Sequence, residues 1–288
     1  MHPTAASPLS LAAAVTPAPG GQPGHYTASL QPDWCIGVVP HGGYLTTLLL
    51  NASTHFLRNR QPHAIHSALT FLTRCSVGPA ELRVSPLKLG RQYSFVRVLL
   101  MQAGAVCVDA TITHADMLSE RGATLETRRA GPLPPRDRCV QVLPENGFRV
   151  ATRKLRYLVP TERVDCAVRE QWVTLDDGSA QGFGVNDLGF VADMFMPIPE
   201  NYRYMKQKMH WYPTLSLALD IKALPPPGGW EWLFVRIECG TIRGGRMDVD
   251  VTICDENERI VAISRHVAII VDAARNSVKA PAGETAKL

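Results

Sequence analysis

The stretch PHGGYLTTLLLNASTHFL, residues 40–57, decides how the chain is read. Gly42 and Gly43 follow a proline and a histidine, and the apolar run behind them is long enough for about four helical turns. Ahead of it, HYTASLQ alternates as a strand does. Behind it come four runs rich in Val, Leu, Thr and Phe, at 64–77, 82–89, 93–101 and 106–114, separated by Gly78-Pro79, Gly90 and Gly104. A strand, one helix and a consecutive antiparallel sheet make an α+β unit, in which helix and sheet bury their apolar faces against each other.

The same order returns further on. A strand at 167–175 precedes a helix within 187–196, and strand runs follow at 214–224, 232–239, 247–254 and 260–271. The repeat is one of element order, with a period of about 150 residues. Laying GGYLTTLL over LGFVADMF puts Gly43 on Gly189, Tyr44 on Phe190 and Thr47 on Asp193. Residues 118–160 carry Pro132, Pro134, Pro135 and Pro144 among many charges and read as a connection crossing the surface. The expected division is a flexible leader (1–24), a first half (25–117), the connection (118–160), a second half (161–272) and a tail (273–288).

Composition narrows the function. With 288 residues, 45% of them apolar, the chain has material for one large or two small cores. Its net charge of +4 is spread along the sequence without basic runs, which argues against a nucleic-acid surface. The seven cysteines are scattered, odd in number and never paired as zinc ligands are, so they read as buried thiols in a reducing compartment. Residues 9–15 are apolar, but too short and too poorly flanked for a signal peptide, and no run approaches the length of a membrane span. Ala286, Lys287 and Leu288 resemble a peroxisomal address, with a cytoplasmic location as the alternative.

Serine-hydrolase, phosphate-loop and dinucleotide signatures are missing from the sequence, so no cofactor is expected. His63 and His66 are spaced poorly for a metal on a strand, and no metal site is expected. Arg243 and Arg246 flank Gly244-Gly245, and the pair reads either as a contact for coenzyme A phosphates or, better, as a solvated hairpin turn.

PHGGYLTTLLLNA resembles the first-half helix entry of thioesterase-like double hotdog proteins. ADMF, WYPTLSLALDI, EWLFVR and ERIVAISRHVAI resemble, in order and spacing, their second half. The likeness runs over residues 25–272 and implies two fused helix-in-sheet halves acting on an acyl thioester, carried by coenzyme A or a carrier protein. Lipid or polyketide metabolism and a homo-oligomeric assembly go with that likeness. In the acyl-CoA thioesterase II family an Asp, a Thr and a Gln hold the hydrolytic water. Asp193 matches the first and Thr214 the second, while His266 stands where the family has Gln.

Several readings stay open. Asp193 is either an exposed helix residue or a carboxylate buried for a purpose. Gly42 and Gly43, with Tyr44 beside them, either bring a substrate carbonyl close to free helix amides or permit a tight turn and close packing. An imidazole at 266 hydrogen-bonds water as an amide does, serves as a base itself, or is structural. His41, just ahead of the first helix, suits a second chemistry: proton transfer next to a thioester carbonyl together with Asp193, as in hotdog dehydratases and isomerases. A binding protein that kept the pocket without the chemistry is the third class.

Overall fold

The computed structural model describes residues 8–125, 131–143, 147–162 and 165–277. The first half runs β1 (His25–Leu30), α1 (Gly42–Leu57), β2 (His63–Phe71), β3 (Gly78–Leu89), β4 (Tyr93–Gln102) and β5 (Ala105–Ala115). The second half repeats it as β6 (Val168–Leu175), α2 (Leu188–Asp193), β7 (Thr214–Ile221), β8 (Leu233–Glu238), β9 (Arg246–Cys254) and β10 (Ile260–Ile269). Strand alternation is plain in β9, where Met247, Val249, Val251 and Ile253 are buried.

All ten strands join one antiparallel sheet in the order β1-β3-β4-β5-β2-β7-β10-β9-β8-β6, which reads the same from either end. The pseudo-two-fold axis passes between β2 and β7. Ala68 faces Ala218 there, with Thr70 opposite Ser216 and His66 opposite Asp220. The offset of about 150 residues is the one the repeat predicts. Strand neighbours are not all consecutive: α1 carries the chain across the sheet, so β2 lands beyond β5, at the seam between halves.

α1 is buried on nearly every side because the sheet covers one face and α2 the other. Tyr44, Leu45, Leu48, Leu49 and Leu50 all lie in the core. The two helices cross at their glycines. A β-carbon on Gly43 would sit 2.8 Å from the carbonyl oxygens of Gly189 and Phe190, and one on Gly189 would sit 3.0 Å from the Thr47 amide nitrogen. The aligned pair Gly43 and Gly189 thus permits the contact that joins the halves.

The expected boundaries need correction in three places. The leader is not free from residue 8 onward: Leu9–Ala12 is a short helix, and Leu9, Ala12 and Ala13 are buried in the main core. The connection is not merely a surface crossing, because Leu155–Pro160 pairs with β6 and Cys139–Val142 pairs with Leu155–Pro160, lengthening the sheet at that end. The tail begins with a packed 3₁₀ turn, Ala273–Asn276, whose Asn276 side chain accepts from the Val38 amide and donates to the Ile36 carbonyl. The cysteines are free thiols, five of them buried, whereas Cys166 is exposed and Cys139 half-buried. Ala286, Lys287 and Leu288 lie outside the described residues.

Candidate active site

The site forms where the start of α1 meets the end of α2. His41 caps α1 in an extended conformation, its amide donating to the Trp34 carbonyl and its own carbonyl accepting from Leu45. Asp193 is the last residue of α2. Thr214 opens β7, where the pairing with β10 slips between Thr214 and Ser216, a local irregularity of the kind that re-aims a side chain. His266 lies on the inward face of β10, with Ser264 two residues before it on the same face.

These elements gather round one carboxylate. Thr214 Oγ1 donates to Asp193 Oδ1 at 3.2 Å, and His266 Nδ1 lies 3.3 Å from the same oxygen. His41 Nε2 lies 3.4 Å from Asp193 Oδ2 and 3.1 Å from the Asp193 carbonyl oxygen. A β-carbon on Gly42 would stand 2.7 Å from Oδ2, so the carboxylate sits against the first turn of α1. The free amides and positive end of a long helix favour an anion there. Asp193 is therefore buried rather than exposed: its side chain is 9% accessible and that of His266 only 1%.

Burial acts on both His41 and Asp193. It pushes the His41 imidazole below its ordinary value against the pull of Asp193, which favours the uncharged ring. Burial also pushes Asp193 upward. The neighbouring His41 and the hydrogen bonds from His266 and Thr214 outweigh it and hold the carboxyl below the usual carboxylate range.

The group opens into a pocket of about 840 Å³, lined by His41, Gly42, Asp193, Thr214 and His266 and by apolar and aromatic walls that include Phe71, Phe195 and Tyr212. That is the size and character of a small-molecule site. Two expected contacts lie elsewhere. Tyr44 is fully buried away from the pocket, donating from its hydroxyl to the Ala12 carbonyl and packing on Trp34. Gly43 faces α2. Arg243 and Arg246 sit in an exposed hairpin turn outside the pocket. His63 and His66 go to separate partners, Asp116 and Asp220, and no metal-binding cluster occurs among the described residues.

Two supports escaped the sequence reading. Gln171 of β6 is buried and donates to the Met194 carbonyl, fixing the chain just after Asp193. Ser264 Oγ lies 2.9 Å from His266 Nε2 and donates to the Ala218 carbonyl at 2.7 Å. The ISRH spacing signals that Ser264 and His266 share a face. Nothing in the sequence signals Gln171.

The mirrored position in the other half carries different residues. Register about the dyad sets Ala64 in the place of Thr214 and Ile112 in that of His266, while the helix alignment sets Thr47 in that of Asp193. Thr47 Oγ1 donates to the Asn186 carbonyl.

Fold and site together define a double hotdog protein with a polar cluster at the helix junction of its two halves. The family profile for the acyl-CoA thioesterase N-terminal domain matches residues 30–115, and the profile for the C-terminal domain matches residues 126–270. The chain belongs to the acyl-CoA thioesterase family and is an acyl-CoA thioesterase-like hydrolase. It is 26% identical to the thioesterase-like protein TwmA of Talaromyces wortmannii, over 91% of this chain and 92% of that one. A thioesterase II candidate from Thermobifida fusca superposes with a TM-score of 0.77 at 26% identity, covering 91% of this chain and 97% of that one. An acyl-CoA thioesterase II from Mycobacterium marinum shares the fold, with a TM-score of 0.72 at 14% identity over 92% of this chain and 98% of that one.

Proposed function

We propose that the chain hydrolyses an acyl-CoA or closely related acyl thioester with a water molecule held by Asp193, Thr214 and His266. The observation that carries this reading is a buried, ionised carboxylate with hydrogen-bonding neighbours on both oxygens, set against the start of α1 in an apolar pocket. Water adds to the thioester carbonyl carbon, and the proton it loses passes to Asp193 as the C–O bond forms. The charge that collects on the carbonyl oxygen is met by the amides at the start of α1, where Gly42 permits close approach. When the C–S bond breaks, the thiolate leaves and takes that proton, giving a carboxylic acid and a thiol.

A second reading rests on one distance, the 3.4 Å between His41 Nε2 and Asp193 Oδ2. An imidazole beside a carboxylate suits proton transfer at the carbon next to a thioester carbonyl, which is dehydratase or isomerase chemistry. The test is thiol release from short, long and aromatic acyl-CoAs by wild type, Asp193→Asn and His41→Ala. Release that falls by about 10²-fold or more in Asp193→Asn supports hydrolysis. No release by wild type refutes it and moves the assignment to the His41 and Asp193 chemistry.

A further inference from the structure

The hydrogen bonds behind His266 bear on which ring nitrogen donates there. Ser264 has one hydroxyl hydrogen, and Oγ stands 2.7 Å from the Ala218 carbonyl oxygen, a separation that two oxygens hold only with a hydrogen between them. That hydrogen is therefore spent on Ala218, and the contact of 2.9 Å to His266 Nε2 requires Nε2 to be the donor. The other ring nitrogen, Nδ1, faces Asp193 Oδ1 at 3.3 Å, and β10 holds the ring in place between β7 and β9. The Phe195 ring lies edge-on to the imidazole, its centroid 6.1 Å away, and offers no hydrogen-bond acceptor.

We propose that Ser264 is a positioning residue for the hydrolytic site: it fixes His266 with Nε2 as donor and so presents Nδ1 to Asp193 Oδ1. This deepens the reading of the site as a hydrolase and rests on it for its catalytic meaning. Oδ1 is then occupied, by the Thr214 hydroxyl that donates to it and by His266 Nδ1 that faces it. Oδ2, the oxygen facing His41 and the start of α1, is the one that takes the proton from water. Bond making to the thioester carbon consequently occurs on the α1 side of the carboxylate, beside the amides that receive the developing charge.

The experiment reads the ring directly. Nitrogen-15 NMR of histidine-labelled full-length protein, with His266 assigned by loss of its signal in His266→Gln, reports which ring nitrogen carries hydrogen in wild type, Ser264→Ala and Ser264→Thr. The expected result is a protonated Nε2 in wild type, a changed Nε2 signal in Ser264→Ala, and return toward wild type in Ser264→Thr. In thiol-release assays, kcat/KM is expected to fall about fivefold to tenfold in Ser264→Ala, the loss of one neutral hydrogen bond. A bare Nε2 in wild type, or an Nε2 signal indifferent to Ser264→Ala, overturns the proposal. The NMR result does not depend on turnover, so an enzyme that releases no thiol yet shows the expected tautomer refutes the hydrolase reading while the assignment of Ser264 to the ring stands.

Discussion

Gly42→Ala separates the chemistry of this site from its stability. Gly42 is helical and has no positive φ, so alanine fits its backbone. The added β-carbon, however, would lie 2.7 Å from Asp193 Oδ2, while ordinary contacts begin near 3.4 Å. What yields is the carboxylate, the end of a side chain, by about 0.5 Å or more. Its bonds from Thr214 at 3.2 Å and His266 at 3.3 Å are already near the limit of useful length, and a shift of that size breaks at least one. A hydrogen bond to a charged group is worth about 1.5–3 kcal/mol, so kcat/KM is expected to drop about 10- to 100-fold. Ala is the better helix former by up to about 1 kcal/mol, so the melting temperature is expected to stay within a few degrees of wild type. Thiol release and a thermal melt on the same preparation give both numbers. Wild-type kcat/KM in Gly42→Ala would refute the argument that the Asp193 position controls turnover.

Gly43→Ala should do the reverse, lowering the melting temperature first, because its β-carbon meets the backbone oxygens of Gly189 and Phe190 at 2.8 Å and α2 has to retreat; overpacking of this kind costs about 1–3 kcal/mol. Thr214→Val removes the donor to Asp193 and should lower kcat/KM about tenfold or more, whereas Thr214→Ser, which keeps the hydroxyl, should retain most of the activity. Leu9→Ala should destabilise by about 2–4 kcal/mol in chemical denaturation, since Leu9 is 1% exposed; a loss within error would mean that the leading segment does not belong to the core. His114 is fully buried between Ser53 and the Gln61 carbonyl, and burial pushes it down to about 4. Its native pKa is depressed, so the stability it carries is present above about pH 6.5 and is lost as pH falls toward 4, by up to about 3 kcal/mol. Denaturation curves of wild type and His114→Asn over that range should therefore differ in slope, the wild type losing more.

Element order was legible because apolar period and turn residues are local signals. The 40–57 stretch gave a helix at Gly42–Leu57, and most strand runs behind each helix fall within a few residues of the observed strands, though the 64–77 run overshoots β2, which ends at Phe71, and Gly78-Pro79, read as a separator, opens β3. Strand neighbours were not legible, because the placement of β2 beyond β5 depends on how α1 crosses the sheet. The leading segment misled for a related reason: LSLAAAV is too short to mark a core element alone, and it is held by distant partners, the Asp177 carboxylate on the Leu9 amide and the Tyr44 hydroxyl on the Ala12 carbonyl. In the site, His41, Asp193, Thr214 and His266 were all named from the sequence, and the fold gathers them. Tyr44 was named through its place beside the glycines, yet successive helix residues point different ways, and its ring turns to Trp34. Ser264 and Gln171 act through backbone carbonyls that only the folded chain brings near.

The two halves contribute different residues to the candidate site. The first half supplies the helix N-terminus, Gly42 and His41, and the second supplies Asp193, Thr214 and His266. Neither half holds a carboxylate and a long-helix N-terminus at the same place: α2 is only six residues long, and the position in α1 that mirrors Asp193 is Thr47. The mirrored cradle is correspondingly given to structure. Asp187, which caps α2 as His41 caps α1, accepts from the Gly184 amide, and burial pushes its carboxyl up to about 6. Asn51 of α1 donates to the Ala13 carbonyl and accepts from Asn186, tying the leading segment and α2 to the same helix face. A duplication that began with two equivalent sites would have to keep both helix junctions open to substrate. Here Leu9, Ala12 and Ala13 are packed into the main core, Ala13 bonded to Asn51 of α1, while the other junction opens into the pocket and holds the Asp193 carboxylate.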